Sequence, residues 1–281
     1  MTTELRKGSA AIAALLFFHA RRPAGRAGRD GSRRAIALGL AAACVCGEAG
    51  AGAWPLEPGE TLAILKYETA RSDEAWDLDG RRYSVDERTD ETVSLYLERG
   101  VTRRITLQGK AGWSRGEEAG LPYEGRAPIE LGLRYALRRS DDWAVSLYLG
   151  GVLAGEGRNA GYALPGAGKA DVEVRLLAGR SFPLGEGRMF VEGQAARLAR
   201  TGLPDETRLD LTAGYQASPR WLILAQSYGG VTDAEPAWLK LETSAVGRFG
   251  DWSLQAGWRA SAAGRAGPVE DGPVVAVWRR F

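Results

Sequence analysis

The chain has 281 residues, 44% hydrophobic and 26% charged, with 38 glycines, a mean hydropathy of −0.24 and a formal charge of +2. It contains no uninterrupted apolar run of the ~18 residues that a membrane-spanning helix needs, which excludes a helical membrane protein. Nine Trp, nine Tyr and six Phe exclude a chain too poor in apolar side chains to fold.

The first predicted element is a secretory signal, in the stretch GSRRAIALGLAAACVCGEAGAGAW. Arg33 and Arg34 form its positive flank, residues 35–46 its short apolar stretch, and Ala51-Gly52-Ala53 a small-residue cleavage site before Trp54. Two minor alternatives are a loose likeness to a twin-arginine signal around Arg33 and Arg34, and a weak lipoprotein box ending at Cys44. The domain reading is thus residues 1–53 as a signal behind an over-extended prefix, and residues 54–281 as the mature protein. Both cysteines, Cys44 and Cys46, and the single histidine, His19, belong to the prefix. The mature chain then has no disulfide, no Cys- or His-based metal centre and no Ser–His or Cys–His catalytic site. Neither an enzyme nor a cofactor nor a metal is expected. The prefix also carries eight of the Lys and Arg and three of the Asp and Glu, leaving 29 against 32, a formal charge of −3. Nucleic acid gains no electrostatic reason to bind.

From Thr61 onward the dominant period is two. In IELGLRYALR, Ile129, Leu131, Leu133, Tyr135 and Leu137 oppose Glu130, Gly132, Arg134, Ala136 and Arg138; TRLDLTAGY and WSLQAGW alternate in the same way. A helix would need apolar residues three and four apart instead. Twelve such segments begin near Thr61, Glu91, Arg104, Ala127, Trp143, Ala170, Arg188, Thr207, Trp221, Trp238, Trp252 and Gly272. Each has roughly the 9–11 residues of a tilted membrane strand. Short connections at 99–103, 139–142, 183–187, 217–220 and 250–251 alternate with longer ones at 71–90, 114–126, 155–169, 199–206, 231–237 and 261–271. Short turns on one side and longer loops on the other are the membrane-barrel pattern. Trp143, Trp221 and Trp252 open strands after short turns, and Trp113, Tyr228 and Trp258 lie near the opposite strand ends, where two interfacial girdles belong.

The expected fold is all-β: a closed antiparallel up-and-down transmembrane β-barrel of about 12 strands. A soluble lipocalin-like barrel alternates too, with its apolar face inward, and periodicity alone does not separate the two. The final segment ends GPVVAVWRRF, with Val275, Val277 and Phe281 on one face. With the signal, the alternating strands and the loop asymmetry, this end resembles Gram-negative outer-membrane β-barrel proteins of the porin- or channel-like class. Arg279 departs from the pattern, since an apolar residue or Tyr is usual there. The resemblance implies an outer-membrane location among lipid and lipopolysaccharide. It also implies that the barrel-insertion machinery reads the final strand, and that the cargo is small solutes.

On that reading the lumen carries Lys66, Glu68, Lys110, Glu130, Arg134, Arg138, Glu173, Arg175, Glu192, Arg208, Asp210, Lys240, Glu242 and Arg259, with Gln194 and Gln255 beside them. Four pairs of opposite charge stand two residues apart on one face, about 6.8 Å along a strand, so cross-strand pairing competes with pairing along it. The signs nearly balance, and strong ion selectivity is not indicated. A passive channel or small-solute transporter is the leading function; a non-conducting structural, adhesion or assembly barrel acting through its outer loops is the alternative. The acidic stretch at 71–90 has a hint of calcium-loop spacing in Asp77, Asp79 and Gly80 but lacks the later ligands.

Overall fold

The structure, a computed structural model, describes residues 52–155 and 170–281. The predicted signal up to residue 51, and the connection at 155–169 beyond Gly155, lie outside the described residues. Every regular element among the described residues is a strand. In chain order they are β1 (Thr61–Trp76), β2 (Arg82–Gly100), β3 (Ile105–Glu118), β4 (Leu121–Arg126), β5 (Ile129–Arg139), β6 (Trp143–Leu153) and β7 (Ala170–Leu184), followed by β8 (Gly187–Ala199), β9 (Glu206–Gln216), β10 (Trp221–Thr232), β11 (Ala237–Phe249), β12 (Trp252–Arg265) and β13 (Gly267–Arg280).

All pairings are antiparallel between chain neighbours, except that β3 also pairs with β5 and that β1 pairs with β13, so the sheet closes on itself. At the seam Leu65 faces Val277 and Tyr67 faces Val275. Phe281 N donates to Thr61 O at 3.0 Å, and Thr61 N to Phe281 O at 3.3 Å. Closure matters because hydrocarbon offers no water to an unpaired N–H or C=O.

Twelve of the thirteen strands go round the barrel; β4 pairs only with the outer half of β3. Strand β5 then takes over the inner half of the same partner, from Lys110 opposite Glu130 to Ile105 opposite Tyr135. Pro128 stands at the break, where its missing N–H has no ladder bond to lose. Three segments expected as loops are instead hairpins: β1–β2 extends to a turn after Trp76, β3–β4 to Ala119 and Gly120, and β12–β13 to Ala266. In the first of these turns Asp77 Oδ1 accepts from the N–H groups of Asp79 (2.9 Å) and Arg81 (2.8 Å), so this carboxylate closes the turn.

Burial separates the faces. Leu131, pointing out, is 63% exposed, whereas Arg134, pointing in, is 0% exposed. Leu95, Leu149, Leu211, Leu241 and Leu254 are exposed, while Glu98, Glu173 and Glu206 are buried. A soluble barrel has the opposite arrangement. This one turns its apolar surface outward, as a lipid solvent requires, and the lipocalin-like alternative falls. Trp143, Trp221, Trp252, Trp113 and Trp258 all point outward. Tyr228 does not: seven residues from Trp221, it shares the inner face with Leu222 and Leu224, and it leaves the expected girdle.

Candidate functional site: the barrel lumen

A cavity of about 560 Å³ occupies the lumen. Lys66, Glu68, Lys110, Glu130, Arg134, Arg175, Arg208, Asp210, Lys240, Glu242 and Arg259 line it, with Gln194 and Gln255. Glu173 and Glu192 are buried on the same inner face. Arg138 is placed elsewhere. The register slips between Ala136 and Arg138, which sets Arg138 opposite outward-facing Val145 and leaves it exposed. The bulge carries it off the face that holds Arg134, so it does not belong with the lumen residues. Val275, Val277 and Phe281 lie on the outer face of the last strand, and Phe281 is exposed. Beside it, Arg279 lies over the rings of Trp252 (4.6 Å) and Phe281 (4.4 Å), so its charge is held between two aromatics at the short-turn rim.

The lumen charges form three groups. In the first, Lys66 Nζ is 2.8 Å from Glu68 and 3.9 Å from Glu242, while Arg259 is 2.6 Å from Glu242 and 3.2 Å from Glu68. Two cations and two carboxylates thus form one neutral ring spanning β1, β11 and β12. Tyr228 supports it, with the Arg259 guanidinium 4.7 Å over its ring. In the second group Arg175 pairs with Glu173 and donates to Gln194 Oε1 at 3.1 Å; Arg208 pairs with Glu206, and Lys110 lies 3.9 Å from Glu130. Arg208 therefore reaches back two residues for its carboxylate rather than forward to Asp210. Lys240 likewise pairs with Glu270 across the sheet rather than with Glu242.

The third group was only half visible in the sequence. Arg134 donates to both oxygens of Glu98, each at 3.1 Å, and Glu98 also accepts from Gln108 Nε2 at 2.6 Å and from Tyr96 OH. Arg134 donates further to the main-chain oxygens of Gly52 and Trp54, the latter at 3.0 Å. Two more lumen side chains reach the same segment. Ser146 Oγ donates to Ala53 O at 2.6 Å, and Ala53 N donates to Glu192 Oε2 at 2.8 Å. The residues before β1 therefore turn into the barrel. Ala53 is fully buried against Ala144, Tyr148 and Leu177, with Trp54 packed on the cluster. A neighbouring cluster of Leu222, Leu224 and Val246, flanked by Phe190 and Trp278, fills the adjoining interior. These two clusters and this segment sit in the barrel interior toward the short-turn end, and Gly52 is among the residues that line the charged cavity.

Glu98, Tyr96 and Gln108 could have been read from parity, since Val93, Leu95 and Leu97 on β2 and Leu107 on β3 point outward and fix their even-numbered neighbours inside. Glu206 and Glu270 escaped because they fell within segments read as connections. Nothing periodic marks residues 52–60.

No protein-family model matches the chain, and no curated protein matches it. Among solved structures, the COG4313 outer membrane channel from Pseudomonas putida F1 superposes with a TM-score of 0.63 at 17% identity, covering 83% of this chain and 99% of that one. The translocator domain of autotransporter NalP from Neisseria meningitidis superposes at 0.50 with 12% identity, covering 80% and 90%. At such identities the likeness is one of architecture: the chain has the fold of outer-membrane β-barrels.

Proposed function

We propose that this protein is a passive outer-membrane channel or transporter for small solutes, closed at its short-turn end by its own residues 52–58. The observation that carries the reading is the charged cavity standing on a separately built floor. A barrel serving only as a membrane staple has no use for a polar chamber of this size, and the COG4313 neighbour is itself a channel. Outer-membrane lipid with lipopolysaccharide surrounds the barrel, and the insertion machinery reads the strand ending in Phe281. One observation favours a non-conducting barrel instead, namely the depth at which Ala53 and Leu56 are buried.

Planar-bilayer conductance decides between them. The refolded full barrel should conduct weakly, and deletion of residues 52–58 should raise the conductance to that of an open charged pore. Trp54→Gly with Leu56→Gly, which keeps the chain length, should act in the same direction. Variants that migrate as folded barrels on unheated gels yet conduct no better than the parent would overturn the channel reading.

A further inference from the structure

We propose that the signal is cut between Ala51 and Gly52, two residues earlier than the Ala51-Gly52-Ala53 motif suggests, and that the resulting Gly52 ammonium seats in the lumen against Glu192 and anchors the plug. The sequence allows either cut, because Ala49-Gly50-Ala51 has the same small-residue spacing. The structure distinguishes them. A cut after Ala53 would remove three groups that lumen side chains hold: Gly52 O, bound by Arg134; Ala53 O, bound by Ser146; and Ala53 N, bound to Glu192. With the segment in place Arg134 and Ser146 are both 0% exposed, and a cut after Ala53 takes these acceptors from two buried donors.

Charge points the same way. The Glu192 carboxylate lies in the field of the Arg134 guanidinium and of the buried Glu98 carboxylate, and Arg175 reaches it only through Gln194. An excess negative charge in a buried pocket calls for a cation. Gly52 is placed to supply it: its Cα lies so close to the Glu192 carboxylate that a Cβ there would overlap it, and its nitrogen is one bond further on. Hydrolysis adds water across the Ala51–Gly52 amide. The carboxylate leaves with the signal, and the amine stays on the barrel and takes up a proton. The Gly52 ammonium then completes the charge balance that the uncut chain lacks.

The test begins with the natural full-length precursor expressed and exported, and the barrel purified from outer membranes. N-terminal sequencing and intact mass should give Gly52 as the first residue; a start at Trp54 overturns the proposal. The folded barrel is then treated with a small water-soluble N-hydroxysuccinimide acetate, and the N-terminal peptide is quantified by mass spectrometry. Acetylation of Gly52 should be on the order of ten-fold slower, or more, in the folded protein than in urea, because the amine reacts only when the plug opens. Glu192→Gln should raise the folded rate toward the unfolded one. If that variant does not fold, the comparison of folded and unfolded parent decides alone, and equal rates overturn the seating. Neither readout depends on conduction, so a barrel that fails the conductance test still decides this proposal.

Discussion

Arg134 holds Glu98 through two hydrogen bonds of 3.1 Å, and neither side chain has any exposure to solvent. A buried pair of this kind persists only when further bonds satisfy it. Here Gln108 and Tyr96 donate to the carboxylate, and the main-chain oxygens of Gly52 and Trp54 accept from the two terminal nitrogens of the guanidinium. The pair thus ties the barrel wall to the main chain of the segment at residues 52–54.

Either single change, Arg134→Ala or Glu98→Ala, should therefore destabilise the barrel by about 3–5 kcal/mol, the cost of stranding a buried charge. The urea midpoint in detergent or lipid measures it. Arg134→Met combined with Glu98→Leu should be markedly milder than either single change. A single mutant with the parent's midpoint would show that the pair is not buried as described.

The two faces should respond oppositely to charge. Leu131→Arg or Leu211→Arg puts a cation on the lipid side, at a cost of about 2–4 kcal/mol near the midplane, whereas Thr212→Ser on the inner face should cost little. Gly132 is inner-facing but is not tolerant: a Cβ there would run into the Tyr148 ring, so Gly132→Ala should lower the midpoint as well. Equal damage from Leu211→Arg and Thr212→Ser would mean that the faces are interchanged.

Arg259 bridges Glu68 and Glu242. In a barrel lacking residues 52–58, Arg259→Ala should shift the reversal potential toward cation selectivity, because a fixed positive charge disappears from a confined and poorly screened space. Arg138→Ala, removing an exposed charge beyond the bulge, should leave it unchanged. A larger effect from Arg138 than from Arg259 would refute the placement of both.

Phe281→Ala and Arg279→Ala test the seam. The Phe281 main chain ties to Thr61, and its ring lies against Arg279. Loss of the ring should reduce the fraction of chain that migrates as a folded barrel. Loss of the guanidinium should cost only the roughly 0.5–1 kcal/mol of an exposed cation–π contact. An undiminished folded fraction with Phe281→Ala would remove the terminal ring from any part in assembly.

What the sequence made legible follows the solvent. Where one face meets lipid and the other the polar interior of the barrel, as around Leu131 and Arg134, alternation is sharp and the strand is readable. Beyond the membrane both faces meet water, so Asp79 to Arg88 and Pro122 to Arg126 lose the period and read as loops while continuing as hairpins. The bulge at Arg138 inverts parity within an otherwise regular run, and no local residue pattern announces it. The plug was illegible because its neighbours lie far along the chain, at Glu98, Arg134, Ser146 and Glu192.

The plug is joined to Thr61 by only a few residues, so it acts as a ligand tethered to its own receptor. A tether that short keeps the local concentration on the order of millimolar. A solute or free peptide competing for the Arg134–Glu192 cleft must therefore reach comparable levels to hold the lumen open, and once it leaves, closure is a first-order event that does not depend on how much protein the membrane contains.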